Sequence, residues 1–65
     1  MAVYRFLVVD QDGHRLGRFE SDRLDWAAGD VFRLDDEVGD LRLVEMLPDV
    51  STMVEYNAVW VSEPV

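Results

Sequence analysis

The segment G-D-V-F-R-L-D-D-E-V-G-D-L-R-L-V-E-M-L, residues 29–47, decides how the rest of the chain reads. Val31, Phe32 and Leu34 are strand-forming residues, and Leu41 to Leu47 is a second, mostly apolar run. Between them Asp35, Asp36, Glu37, Val38, Gly39 and Asp40 make a polar break that contains glycine. Two apolar runs on either side of such a break are the mark of an antiparallel hairpin.

Upstream of this hairpin, Asp22 to Ala28 places Leu24, Ala27 and Ala28 at i, i+3 and i+4, with Ser21 or Asp22 as N-cap and Gly29 as stop. The spacing predicts one helical turn. So short a helix is unstable alone, so Leu24 or Trp26 must be buried against the sheet. Before it, a strand is expected from about His14 to Ser21. Its apolar anchors Leu16 and Phe19 are an odd number of residues apart and cannot share a face unless the ladder holds an extra residue; Gly17 between them predicts a bulge. Asp10-Gln11-Asp12-Gly13 predicts a hairpin turn, because glycine takes positive φ readily and aspartate tolerates it. The first strand, Ala2 to Val9, sets Tyr4, Phe6 and Val8 against Val3, Arg5, Leu7 and Val9, so both faces are mostly apolar.

Downstream, Pro48 to Thr52 is another turn-rich break, and Met53 to Glu63 reads as the last strand, ended by Pro64. Tyr56, Ala58 and Trp60 fall on one face, Val59 and Val61 on the other. Five short strands with little helix predict an all-β fold: a small five-stranded antiparallel barrel or strongly bent sheet, with at most one short helical turn. The chain of 65 residues makes a single domain, residues 1–65.

G-D-V-F-R-L-D-D (29–36) followed by L-R-L-V-E-M (41–46) resembles the Gly-Asp-led hairpin of SH3-like small β-barrels and of RNA-binding barrels of the PUA type. The resemblance covers less than a third of the chain and implies a small barrel. SH3-like barrels that bind proline-rich peptides use an aromatic cluster near acidic loops. Tyr4, Trp26, Tyr56 and Trp60 do not follow that spacing, so no binding residue is carried over.

The formal charge is −8, and its distribution is uneven. Residues 1–24 hold Arg5, Arg15, Arg18 and Arg23 against Asp10, Asp12, Glu20 and Asp22, which cancel; residues 25–65 hold ten acids against Arg33 and Arg42. A field of that sign repels phosphate backbones and anionic lipid, which argues against nucleic-acid and membrane partners. All six basic residues are Arg, a pattern that fits codon bias or an acidic, salt-adapted surface. With no cysteine there is neither a disulfide framework nor a thiolate metal cage. Arg5 interrupts the apolar start and no small-residue cleavage site follows, so a cytoplasmic protein is expected.

Catalytic chemistry finds little footing in this sequence. His14 is the sole histidine, and Ser21, Ser51, Thr52 and Ser62 have no base beside them in sequence to activate a nucleophile. His14 reads as a turn-flanking residue before it reads as a ligand. Asp35, Asp36, Glu37 and Asp40 read as a solvated hairpin tip, and Asp10-Asp12-Gly13 as a turn, since neither set has calcium-loop spacing. No metal or other cofactor is expected. Arg5, Arg15 and Arg18 could gather on the first hairpin as an anion patch, weighed against simple compensation of nearby acids.

The expected function is a non-catalytic protein–protein interaction module, pairing with itself as a homodimer or with another protein. Its surface is assigned to Val3, Leu7, Trp26, Val59, Trp60 and Val61, although in a domain short of core material the two tryptophans read as core before they read as surface. One alternative is an acidic mimic that occupies another protein's nucleic-acid site. Another, on fold analogy alone, is an RNA-binding barrel working through the arginines. An enzyme is the least expected reading.

Overall fold

A computed structural model describes residues 3–48 and 56–65. Its strands are β1 (Tyr4–Val9), β2 (Arg15–Ser21), β3 (Val31–Arg33), β4 (Asp40–Leu47) and β5 (Ala58–Pro64). They form one curled half-barrel sheet in the order β2-β1-β5-β4-β3. Two hairpins, β1–β2 and β3–β4, are thus joined through β5, which runs between them. The antiparallel expectation holds for β1–β2, β3–β4 and β4–β5, whereas β1 and β5 are parallel, with Leu7 beside Val59 and Val9 beside Val61. The stretch expected to begin the last strand, residues 53–55, lies outside the described residues.

Alternation along the strands sends Phe6 and Val8 of β1, Phe32 of β3, Leu41 and Leu43 of β4 and Trp60 of β5 into the concave side, where they make the buried core. Phe19 of β2 and Trp26 pack against it. The hydrogen-bonded order leaves β2 and β3 as opposite edges, yet the curl brings them together. The rings of Phe19 and Phe32 lie 5.0 Å apart. A Cβ at Gly17 would sit 3.2 Å from a Leu34 methyl, so glycine lets the second seam contact close. Side chains, not a backbone ladder, join these edges.

The bulge read from Gly17 is present: Val8 stands opposite Gly17 but Val9 opposite Arg15, so Leu16 is the extra residue. A second one lies in β4, where Leu43 pairs with Ser62 and Glu45 with Val61, leaving Val44 extra. Each bulge bends its strand and adds twist, which curls the sheet.

No helical turn forms over residues 22–28, contrary to the helical spacing of Leu24, Ala27 and Ala28. The link between β2 and β3 has to cross from one edge of the sheet to the other. Seven helical residues span only about 10 Å, whereas an extended chain covers roughly 3.3 Å per residue. The segment therefore runs open and ends in a turn, in which Asp30 N–H donates to the Ala27 carbonyl at 3.0 Å and the Asp30 carboxylate accepts from Ala27 N–H at 2.9 Å. Gly29 supplies the positive φ of 99° there. Trp26 anchors the crossing: its Nε1–H donates to Ser21 Oγ at 3.3 Å, and the Arg23 guanidinium lies 4.2 Å over its ring. Leu24 stays exposed.

Gly13 and Gly39 occupy their hairpin tips at φ 88° and 80°, and no heavy atom lies within 4 Å of a Cβ built on either. The cost of a side chain at these sites is therefore conformational alone. Gly39→Ala is expected to destabilise by about 1 kcal/mol, read as a lower melting temperature, and Gly13→Ala by a similar amount. Unchanged melting of both variants would contradict this account of the turns.

Candidate docking face

The residues that alternate away from the core make the convex outer face. Its register gives two rows across the sheet. Arg18, Leu7, Val59 and Leu47 follow one another across β2, β1, β5 and β4; Arg15, Val9, Val61 and Glu45 form the row above. The middle of each row is aliphatic. Val9 is buried, Leu7, Val59 and Val61 are half-buried, Leu47 is exposed and Val3, just before β1, is more so. The crossing segment 22–30 does not cover this face, because its Trp26 packs into the concave side against Phe19, Phe32 and Trp60.

Four of the six residues assigned to the interaction surface, Val3, Leu7, Val59 and Val61, thus share one face. Trp26 and Trp60 do not. Trp60 is wholly buried and stacks on Phe6 at 4.2 Å with the ring planes 20° apart. The position of β5 at the centre of a curled sheet puts its largest inward side chain in the middle of the core, which removes Trp60 from any surface. Trp26 is half-buried on the opposite side of the sheet from Leu7.

Pairing of β1 with β2 places Arg5, Arg15 and Arg18 on the outer face, but they do not converge on one point. Arg5 stands opposite Glu20, and Arg18 Nε lies 3.2 Å from Glu20 Oε1. Arg15 Nη2 donates to Tyr56 Oη at 3.0 Å. Since β1 lies between β2 and β5, that bond reaches across β1. At the sheet's start Asn57 ties β5 to β1: Arg5 N–H donates to its Oδ1 at 2.9 Å, and Asn57 N–H to the Arg5 carbonyl at 2.7 Å.

The polar tips have structural work. Ligand atoms of Asp10, Asp12 and His14 lie within 4.8 Å of one another. Asp10 Oδ1, however, accepts from the N–H groups of Asp12 at 2.9 Å and His14 at 2.8 Å, which fixes the turn. Asp35 does the same at the other tip, accepting from Glu37 at 2.9 Å and Val38 at 2.7 Å. The His14 N–H bond, with that of Asp12 and the nearby imidazole, holds the Asp10 carboxyl below its ordinary value. A carboxyl with a depressed folded-state pKa stabilises the fold above its unfolded value, and that contribution disappears as pH falls through the folded value. Asp10→Ala is therefore expected to melt below the wild type at pH 7, with the difference vanishing in acid below the ordinary carboxylate range; a difference independent of pH would contradict it.

Glu45 and Leu47 belong to the outer face but are hard to find by alternation. Leu43, Glu45 and Leu47 should share one face of a regular strand. The extra residue Val44 turns Leu43 inward and the other two outward. The available signal was the apolar pair Leu43-Val44, which breaks the alternation.

Comparison with protein-family models, with curated proteins and with solved structures finds no match to this chain. Among the described residues, no helix is long and apolar enough to cross a membrane.

Proposed function

We propose that the protein is a non-catalytic, cytoplasmic protein–protein interaction module, an SH3-like small barrel that docks through its convex outer face. One observation carries the reading: the aliphatic run Leu7, Val59 and Leu47, with Val61 above it, lies on the face that the only long crossing segment among the described residues leaves uncovered. Aliphatic side chains contribute to binding when a partner takes them out of water, at roughly 25 cal/mol per Å². The rim of Arg15, Arg18, Glu45 and Glu63 supplies polar contacts that select which partner fits.

A second reading, the acidic mimic, draws support from the placement of both hairpin tips. β1 and β3 run the same way, so Asp10 and Asp12 share an end of the sheet with Asp35, Asp36 and Glu37. The RNA-binding alternative has less support, because Glu20 sits among the arginines it requires.

Salt separates the two leading readings. With the purified protein immobilised in an extract of its host, a partner held by the aliphatic face stays bound at about 1 M salt, where the Debye length is about 3 Å. A partner released steeply between low and moderate salt would instead identify the acidic tips as the binding element and overturn the proposal.

A further inference from the structure

We propose that the partner is a second copy of this chain, docked outer face to outer face about a two-fold axis that runs parallel to the strands between β1 and β5; this rests on the docking-face reading above. Such an axis exchanges β1 with β5 and β2 with β4 while keeping each row in register. In the upper row Val9 then meets the partner's Val61, and Arg15 meets the partner's Glu45. In the lower row Leu7 meets the partner's Val59, and the aliphatic stem of Arg18 lies on the partner's Leu47, with its charge already held by its own Glu20. By symmetry each contact occurs twice.

The charges also favour an axis along the strands over one across them. An axis across the strands, midway between the two rows, would set β2 on the partner's β2, with Arg15 against the partner's Arg18 and Glu45 against the partner's Leu47. Of these two, the axis along the strands is the one that opposes unlike charges. Shape agrees with it. Two convex sheets touch along their middle and part toward their edges, so short side chains suit the centre and long ones the flanks. The face has the half-buried Leu7, Val59 and Val61 at its centre beside Val9, which the fold itself already buries, and Arg15 and Glu45 on the flanking strands β2 and β4. Each copy carries −8, so long-range repulsion opposes association, and beyond about 8 Å it is screened at physiological salt. A standard interface covers roughly 800 Å² per partner. That is a modest part of the 4530 Å² surface of one copy.

Charge exchange tests the arrangement, because both partners of the pair are present in every chain. By sedimentation equilibrium of the purified full chain across the micromolar range, the wild type is expected to be a dimer. Arg15→Glu and Glu45→Arg should each weaken the dimer about tenfold or more, and the double variant Arg15→Glu/Glu45→Arg should recover most of the loss. Near-UV circular dichroism confirms that each variant is folded. Should Arg15→Glu unfold through loss of its Tyr56 bond, Glu45→Arg decides alone, since the Glu45 carboxylate holds no ion pair or hydrogen bond among the described residues. A monomeric wild type, folded single variants that dimerise as well as the wild type, or a folded double variant that recovers nothing would overturn the proposal. A monomeric wild type that still captures another protein through Leu7 would overturn only the second-copy assignment, whereas loss of both behaviours would overturn the docking face as well.

Discussion

Trp60→Ala is expected to leave the chain largely unfolded at 25 °C. Trp60 is fully buried at the centre of β5, and its ring lies 4.2 Å from Phe6, 5.2 Å from Phe32, 5.4 Å from Trp26 and 5.6 Å from Phe19. It therefore touches side chains from β1, β2, β3 and the crossing segment. Truncating such a residue costs about 3–5 kcal/mol, and a core of this size rarely supplies more than roughly 3–5 kcal/mol in total. Trp60→Phe should be far milder. The indole Nε1 is buried without a hydrogen-bond partner among the described residues, as is Ser62 Oγ two residues on. Phenylalanine removes that unsatisfied donor, whose desolvation costs about 1–3 kcal/mol, and keeps a ring to stack on Phe6. Urea unfolding followed by far-UV circular dichroism checks both; a cooperative transition for Trp60→Ala near that of the wild type would contradict the placement of this side chain.

Phe32→Ala should have the next largest effect, about 3–4 kcal/mol, and should act on a different part of the molecule. β3 has three residues, of which Val31 and Arg33 face solvent, so Phe32 is its one inward side chain. Its ring lies 5.0 Å from Phe19 and 5.2 Å from Trp60. It holds a short edge strand to the core and closes the seam between β2 and β3. Without it the seam has the Gly17–Leu34 approach and the Phe19–Trp26 edge contact, 5.6 Å between centroids. Amide hydrogen exchange is expected to rise first at Val31–Arg33 and at their partners in β4, ahead of β1 and β5. Uniform acceleration over all strands would show that β3 does not open separately.

The local features of the fold were legible in the residues, and the long-range ones were not. The odd spacing of Leu16 and Phe19 around Gly17 located a bulge, because a bulge is a property of a few neighbouring residues. Asp-Gly at 12–13 and Gly39 marked the hairpin tips for the same reason. The parallel pairing of β1 with β5 joins residues about fifty positions apart. Alternation assigns faces to a strand but says nothing about its neighbour or its direction. Leu24, Ala27 and Ala28 have helical spacing, yet the distance between the edges of the sheet overrides that local preference. For the candidate docking face, alternation puts Val3, Leu7, Val59 and Val61 on one side of the sheet once β1 and β5 are neighbours. It could not tell that Trp60 fills the concave side, nor that the bulge at Val44 sends Glu45 and Leu47 outward.

The docking face itself is tested most directly with two baits, the wild-type chain and Leu7→Asp, immobilised in an extract of the host, each first shown to be folded by its near-UV spectrum. Leu7 is half-buried on the outer face and has no part in the core cluster, so a carboxylate there disturbs association before it disturbs folding. The account predicts that a protein, this chain or another, is retained by the wild type and lost from Leu7→Asp. The same proteins retained equally by both baits would contradict it.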